Sequence, residues 1–293
     1  MSDKTKTYIG LHTAVLLAGA TGLFGRMISL SGLTMVWYRV MVSLVTMAGA
    51  MLLLGRLHKT PVRNIIPIMG CGCLLAFHWV AFFASIKASN VSVGVVCIAT
   101  SCFFTLLFEP LINKKKVSVK EVLISFITIA GVLLIFSLDV RYRLGIALGL
   151  LSAAIYSIFA ILNIRVAKST GEDSSTMLLY ELLGGVLILS VITPIYFAID
   201  PSTPRVPLGS DLLGLILLGS IFTVIPFLLQ IIALRNLSAF TVNVTYNLEP
   251  VYSIIFAAIL FGETRELNAS FWIGLTFVVV SVILQTINQS RSR

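Results

Sequence analysis

The residues of this chain that most clearly suggest chemistry are Glu249 and Pro250, which stand side by side inside the apolar stretch 239–261. A carboxylate at membrane depth raises the free energy of a helix in hydrocarbon, and so does a residue without a backbone N–H. Neither is expected there without a polar cavity or partner. The pair therefore indicates a solute path through a membrane protein.

Helical geometry places other polar and aromatic residues on the same faces as this pair. At about 100° per residue, Tyr246, Glu249 and Ser253 share one side of their helix, and similar stripes occur in other apolar segments. The alternative interpretation is close helix packing with interhelical hydrogen bonds. If the stripes face inward, they predict a central substrate-binding set: His78, Trp79, Phe82, Phe103, Tyr156, Asn243, Tyr246 and Glu249.

Arg39 also lies inside an apolar segment, where a charge costs about 2.5 to 3.5 kcal/mol on insertion scales and needs an anion or a carboxylate. A structural salt bridge, snorkelling and binding of a substrate carboxylate all remain open for it. The candidate charge partners or gates are Arg39, Tyr180, Glu181 and Gln230. Pro226 and Pro250 are the predicted hinges, because each frees a helix carbonyl.

Two of these side chains have competing interpretations. Glu249 could contact the solute or a cation, bond to a neighbouring helix, or couple transport to protons. His78 could relay protons, or be a lone histidine that is hydrogen-bonded within the bundle. The residue types alone do not decide between these roles.

Composition shows which elements must position these residues. With 58% apolar residues, 11% charged residues and a mean hydropathy of +1.02 over 293 residues, the chain cannot form one soluble core with a polar shell. A span needs about 20 residues to cross about 30 Å of hydrocarbon. On that basis we predict an all-α membrane protein with ten transmembrane helices, at 8–28, 33–55, 63–86, 91–112, 118–138, 144–166, 175–198, 209–234, 239–261 and 268–288.

The basic residues predict the orientation of these spans. Fourteen Lys and Arg residues fall on the face that carries both termini, against six on the other face. We therefore expect a multi-pass protein of the cell inner membrane with both termini in the cytoplasm. The net charge of +9 is explained by this topology and by anionic lipid, and the scatter of the basic residues argues against nucleic acid as a partner.

No pattern for catalysis or for metal binding stands out. The four cysteines, Cys71, Cys73, Cys97 and Cys102, fall inside predicted spans without a matching set of His or carboxylate ligands. The common hydrolase, metalloprotease and phosphate-loop motifs are missing from the sequence. We expect no metal, no cofactor and no enzyme activity, with an intramembrane enzyme as a minor alternative.

The chain contains an internal repeat. Shifting residues 84–138 by 148 positions pairs Lys87 with Arg235, Phe104 with Tyr252 and Phe108 with Phe256. Another register would pair Glu109 with Glu249, but it lays a lysine-rich loop onto a mid-membrane stretch. We predict five-helix repeats at 1–140 and 141–293. Because five is odd, the second copy enters the membrane from the opposite side, and the repeats are inverted. Inverted repeats are an architecture of alternating-access transporters.

The sequence at this point resembles the drug/metabolite transporter superfamily, in its ten-helix EamA-type branch. The resemblance rests on Trp37-Tyr38-Arg39, on Leu248-Glu249-Pro250-Val251 through Phe256-Ala257-Ala258 to Gly262-Glu263, and on Gly274. The first copy differs, with Ser101-Cys102 where the family commonly has a proline and Lys114-Lys115 where it commonly has Gly-Glu. A strictly symmetric site is therefore not expected.

The resemblance implies a secondary transporter of small organic metabolites, often an exporter, with a central cavity. We therefore predict a permease for a small metabolite such as an amino acid, working by alternating access as a monomer or homodimer. Protons or an exchanged solute are candidate coupling partners. The alternative is a flippase-like translocase for lipid or its head groups, because the same groove could pass a head group.

Overall fold

The computed structural model of the protein consists of helices, and no strand occurs among the residues that it describes. These residues are 3–114, 123, 126–127, 129–131, 134, 142–237, 242, 245–246, 248–265 and 267–291. The helices are α1 Asp3–Met27, α2 Gly32–Leu53, α3 Val62–Ala88, α4 Val91–Ala99, α5 Ser101–Asn113, α6 Arg143–Thr170, α7 Ser174–Ile199, α8 Ser210–Gly219, α9 Ile225–Asn236, α10 Glu249–Phe261 and α11 Ala269–Arg291. A π-helical turn, Ser220–Val224, joins α8 to α9.

Seven stretches within the described ranges are long and apolar enough to cross a membrane. They are Thr5–Met27, Gly32–Leu53, Val62–Ala88, Val91–Asn113, Arg143–Thr170, Ser174–Ile199 and Ser210–Ala233, which match predicted spans one to four and six to eight. Predicted spans nine and ten contain the shorter apolar helices Glu249–Phe261 and Ala269–Ser281. Predicted span five lies largely outside the described residues. The multi-pass helical class is confirmed, and the count of ten stays a prediction.

Local chemistry explains several helix ends. Asn90 caps α4, with its side-chain oxygen accepting a backbone N–H of the first turn at 2.9 Å. The Asp173 carboxylate caps α7 in the same way, at 2.8 and 3.4 Å. Helices α6 and α10 end at Gly171 and Gly262 in the left-handed conformation, which glycine adopts at little steric cost.

The first helices of the two predicted halves run in opposite directions. Helices α1 and α3 finish side by side, where the Lys87 ammonium donates to the carbonyl just beyond α1 at 2.8 Å. Helix α6 runs the other way along α3. Ser85, late in α3, donates to the Gly145 carbonyl at the start of α6 at 2.6 Å, and Asn64, early in α3, donates to the Thr170 carbonyl at its end at 3.4 Å. Helix α6 is therefore antiparallel to both α1 and α3.

Packing between the predicted halves is reciprocal. Helix α1 packs against α9 and α10, whereas α6 packs against α3, α4 and α5. Helix α2 packs against α7 and α8, and α7 packs against α2 and α3. The first helix of each half therefore lies against the third and fourth spans of the other, so their shared boundary runs through the middle of the molecule.

Helices α5 and α10 are related by the predicted repeat distance. Each is 13 residues long, and Glu249, which begins α10, follows Ser101, which begins α5, by 148 positions. Each helix also ends at a residue with positive φ, Lys114 at 53° and Gly262 at 66°. These boundaries agree with the 148-residue register and disagree with the one that pairs Glu109 with Glu249.

We name the two ends of the bundle after Glu263 and Glu172, the carboxylates that lie there. At the Glu263 end, α1, α3, α7 and α10 finish while α2, α4, α6 and α8 begin. At the Glu172 end, the loop after α6 meets the loop before α3, because the amide of Asn64 donates to the Glu172 carboxylate at 2.9 Å. Between these ends α3 and α7 touch through their backbones, since a side chain on Gly72 would overlap the Glu181 carbonyl.

Candidate substrate site

Arg39 of α2 is held inside the bundle by three neighbours. Only 4% of its surface is exposed. Its Nε–H donates to the Thr223 hydroxyl at 3.1 Å, and its Cζ lies 4.1 Å from the ring centre of Trp79 and 5.4 Å from that of Phe83. Within the described part of the chain, Nη1 and Nη2 make no hydrogen bond. The guanidinium is thus anchored at Nε and covered by aromatic rings. Its fork, formed by Nη1 and Nη2, has no partner among the described residues.

The π-helical turn between α8 and α9 explains why Thr223 reaches Arg39. A π turn inserts an extra residue into the helix, and such turns are frequent at functional sites. The Thr223 hydroxyl itself donates to the Leu218 carbonyl, five residues back, at 2.6 Å. Helix α2 is also tied to this turn, because the Ser43 hydroxyl donates to the Gly219 carbonyl at 2.8 Å.

Glu249 begins α10, well inside the molecule, and its side chain is half-buried. It interacts electrostatically with Arg39, Tyr156 and Tyr246. Among the described residues, however, no group hydrogen-bonds to its carboxylate or forms an ion pair with it within 4 Å. Its backbone is fixed against α1, since the Ser253 hydroxyl one turn later donates to the Gly19 carbonyl. A deep carboxylate without a protein partner is a feature of a solute-accessible wall.

His78 of α3 is bound to α6. Its Nδ1 lies 3.1 Å from the Ser152 carbonyl and 2.8 Å from the Ser152 hydroxyl, which donates to the His78 carbonyl at 2.8 Å. A carbonyl only accepts, so Nδ1 carries the proton and Nε2 has the lone pair in the neutral ring. Nε2 makes no hydrogen bond to any described residue. This geometry supports the interhelical role and leaves one acceptor available.

Two tyrosines bring the predicted halves together at this point. Tyr156 of α6 is 37% exposed, and its ring centre is 4.9 Å from that of His78. Tyr246 is half-buried and packs beside α1 residues Leu11 and Val15. The two tyrosines lie close enough to each other for their ionised forms to repel. We call the resulting group the Arg39–Glu249 cluster: Arg39, His78, Trp79, Tyr156, Tyr246 and Glu249.

Phe82 borders this cluster, with its ring stacked on His78 at 6.3 Å and an interplanar angle of 17°. Phe103 of α5 is half-buried, and its described ring contact is with Phe104 at 5.3 Å. Gln230 is half-buried on α9. Asn243 lies outside the described residues.

Glu181 has a partner away from the cluster. The Asn163 amide of α6 donates to its carboxylate at 2.6 Å, and the side chain is buried between α6 and α7. Tyr180, its half-buried neighbour, precedes it on α7. Glu181 also lies near the Cys71 thiol of α3, and within the described residues it shows no interaction with Arg39. The structure therefore gives Glu181 an interhelical hydrogen bond near the Glu172 end.

The two predicted hinge prolines occupy equivalent local positions. Pro226 and Pro250 each lie in the first turn of a helix, α9 and α10 respectively. A missing N–H leaves no helix hydrogen bond unmade there. Each proline follows an irregular turn, so each span bends or breaks just before it. Sequence analysis did not predict the matching break at Thr100, where α4 ends and α5 begins.

Glu263 has a structural role that the sequence does not predict, although the Gly262-Glu263 pair is part of the family resemblance. This carboxylate is 0% exposed. It accepts hydrogen bonds from the N–H groups of Val91 and Ser92 at 3.0 and 2.9 Å, from the Ser92 hydroxyl at 2.7 Å, and from Arg26 Nη1 at 3.0 Å. It caps α4 and ties α1, α4 and α10 together. The signal was an acidic residue directly after the glycine that ends a helix.

Comparisons with known proteins agree with this architecture. A family model described as the EamA-like transporter family matches twice, over residues 5–137 and 143–287. A solved structure, described only as the crystal structure of a protein, is similar in fold, with a TM-score of 0.63 and 15% identity over 96% of this chain and 98% of that one. No curated protein matches the chain. Because the two family matches together cover nearly all of the sequence, the chain belongs to the EamA-like transporter family.

Proposed function

We propose that the protein is a secondary transporter that moves a small organic metabolite across the membrane by alternating access. The observation that carries this proposal is Glu249. Its carboxylate lies deep between the predicted halves, half-buried, with no hydrogen bond to any described residue. A structural carboxylate in a dry bundle would be paired, because an unpaired buried charge is costly. A transport site leaves such a group for the solute.

The proposed moving parts are two inverted five-helix repeats, 1–140 and 141–293. The opposite directions of α1 and α6 support the inversion, and so does the reciprocal packing across the boundary. In this mechanism the halves rock about the Arg39–Glu249 cluster. Pro226 and Pro250 let their spans bend, because each follows a break in regular helix. One chain contains both halves, so a monomer suffices for transport.

The proposed substrate is a polar or amphipathic metabolite, such as an amino acid or a related compound, and the proposed direction is export. Trp79, His78, Tyr246 and Glu249 are the recognition residues. The cluster supports this class because it combines one basic and one acidic side chain with aromatic surfaces. No catalytic step is proposed.

We also propose that the Glu172 end faces the cytoplasm of a cell whose inner membrane holds the protein. The excess of Lys and Arg on that side supports this orientation, and both termini would then be cytoplasmic. A reporter fused after residue 293 tests it. Activity of a cytoplasmic reporter is expected, and activity of a periplasmic reporter would contradict the proposed cytoplasmic position of the C-terminus.

Transport itself is tested in proteoliposomes with a panel of labelled metabolites, with and without a pH gradient. We expect saturable movement of at least one panel member above the rate in protein-free vesicles. Dependence on the gradient would identify proton coupling, and acceleration by solute on the far side would identify exchange. If no metabolite moves faster than in protein-free vesicles, the proposed function is wrong.

A further inference from the structure

We propose that the fork of Arg39 binds a carboxylate of the transported solute while Glu249 binds an ammonium group of the same molecule, so that the substrate is a zwitterion. This inference rests on the transport function proposed above and makes Arg39 a specificity-determining residue. The unpaired guanidinium edge and the unpaired carboxylate, brought together at the boundary of the two halves, are the observations that lead to it.

The position of Arg39 is fixed before any solute arrives. Thr223 accepts from Nε at 3.1 Å, and the rings of Trp79 and Phe83 cover the guanidinium. Only the edge formed by Nη1 and Nη2 is left, and no described residue accepts from it. That edge is planar and presents parallel N–H groups, which match the two oxygens of a carboxylate.

Glu249 does not close onto this edge. The two groups interact electrostatically, yet they form no ion pair within 4 Å. Each is held by its own helix contacts: Arg39 by Thr223, and the start of α10 by the hydrogen bond from Ser253 to the Gly19 carbonyl. The opposite charges therefore stay apart, and neither group is the partner of the other.

The charge balance of the cluster favours a zwitterion over an ion of one sign. A solute that carries only a carboxylate would satisfy Arg39 and leave Glu249 without a partner. A solute that carries only an amine would do the reverse, and a desolvated charge without a partner is costly. A phosphate monoester would bring up to two negative charges towards Glu249 and is disfavoured by repulsion. An α-amino acid supplies both groups on a short frame.

The remaining surfaces accept an apolar side chain. The rings of Phe82 and Tyr156 lie beside His78, and the ring of Trp79 covers Arg39. His78 Nε2 has a lone pair for a donor on the solute. Aromatic walls of this kind contribute by apolar contact and stacking. Amino acids with apolar side chains are thus expected to bind better than those with a charged one.

The first arm of the test changes the solute and leaves the protein intact. Full-length protein in detergent is titrated with each proteinogenic L-amino acid, and binding is measured by calorimetry. The best binder is then compared with its amide, which lacks the carboxylate, and with its deaminated acid, which lacks the ammonium. We expect each derivative to bind at least about tenfold more weakly than the parent.

The second arm changes the protein. Arg39→Lys keeps the charge and removes the fork, and it should weaken binding of the amino acid at least about tenfold while the loss on amidating the solute becomes smaller. Arg205→Lys is the matched control. Arg205 also stacks on an aromatic ring, Phe197 at 5.4 Å, and donates to a carbonyl at 3.2 Å, but it lies outside the cluster. Its substitution should leave the affinity unchanged.

The outcomes separate this inference from the transport function. Equal affinity for the amino acid and its amide would overturn the inference, and so would unchanged affinity in Arg39→Lys. Absence of binding by every amino acid would overturn it too, even if proteoliposomes transport another metabolite and the proposed function survives. If Arg39→Lys does not fold, the comparison of parent and derivatives on the unaltered protein still decides.

Discussion

Helices α5 and α10 have the same length and both end in a left-handed residue, yet their ends differ in chemistry. Helix α10 ends at Gly262, and Glu263 follows it into a buried set of hydrogen bonds at the Glu263 end. Helix α5 ends at Lys114, a bulky residue at a position that favours glycine, and Lys115 follows. A lysine side chain cannot accept from helix N–H groups, so Lys115 cannot make the cap that Glu263 makes in the second half.

The starts of the same helices differ in a related way. Helix α10 starts with Glu249 and Pro250, whereas the equivalent residues of α5 are Ser101 and Cys102. The repeat has thus kept the backbone break in both halves and a charge in only one. A symmetric backbone therefore does not require a symmetric site. Helix α10 has an acidic residue at each end, Glu249 and Glu263, and the equivalent positions of the first half have none.

The largest expected effect comes from removing the carboxylate at the end of α10. Glu263→Ala removes the acceptor of two buried backbone N–H groups and of the Ser92 hydroxyl, so we expect a loss of about 3 to 5 kcal/mol in the free energy of unfolding. Denaturation in mixed micelles measures it. Glu263→Gln keeps an acceptor and should cost less. Equal stability of wild type and Glu263→Ala would show that the cap is not a stabilising contact.

The next effect concerns the starts of α5 and α10. Glu249→Gln should weaken binding of a transported amino acid by about 10- to 100-fold, because a charge-assisted contact is lost. Ser101→Ala should change it less than about twofold, since it is the Ser101 carbonyl that accepts from Ser157, at 2.6 Å. Solute affinities of the two variants in one assay test this difference. Similar losses in both would contradict the proposed asymmetry.

A smaller effect of opposite sign is expected at the two helix ends. Lys114→Gly should stabilise the protein by about 1 kcal/mol, because it relieves a positive φ at a residue with a Cβ. Gly262→Ala should destabilise it by a similar amount for the converse reason. The same unfolding assay measures both. A destabilising Lys114→Gly would indicate that the lysine side chain makes contacts that outweigh its backbone strain.

The smallest effect is a pH dependence at the Glu172 end. The hydrogen bond to Glu172, then the one to the Arg56 carbonyl, raises the pKa of His58, whose side chain is 48% exposed. Its stabilisation is fully present below the ordinary pKa of about 6.5 and is lost as the pH rises through the raised value. The melting temperature of wild type should therefore exceed that of His58→Gln below about pH 6.5. The gap should shrink in alkaline buffer, and a gap that is constant with pH would contradict the link.

Much of the fold could be predicted from the sequence because apolar length alone specifies a membrane span. Periodicity also placed Tyr246 and Glu249 on one helix face and Tyr156 on a polar face of its own helix, and in the structure these three residues are neighbours. The break at Thr100 could not be predicted, since no proline marks it and a threonine is compatible with continuous helix. A local pattern carries no signal for it.

Contacts between residues that are far apart in the sequence could not be predicted either. The hydrogen bonds of Glu263 to α4 join residues about 170 positions apart, and no alignment of the sequence with itself reveals such a contact. The hydrogen bond from Arg39 to Thr223 depends on a π turn. The extra residue in this turn rotates the side chains around the helix axis by one position. The residue pattern of this segment carries no signal that pairs Thr223 with Arg39.

We infer that the carboxylate of α10 lies on the wall of a water-filled chamber, and the accessibility of a thiol at this position is a direct test. In a background with all four cysteines replaced by serine, Glu249→Cys and Ile255→Cys are exposed to a water-soluble maleimide in vesicles. Ile255 is on the same helix and 46% exposed, and because its side chain is apolar we expect it to face lipid. We predict rapid modification at position 249 and none at 255, because the reaction needs a thiolate in water. An unreactive thiol at 249, or equal rates at both positions, would contradict the account.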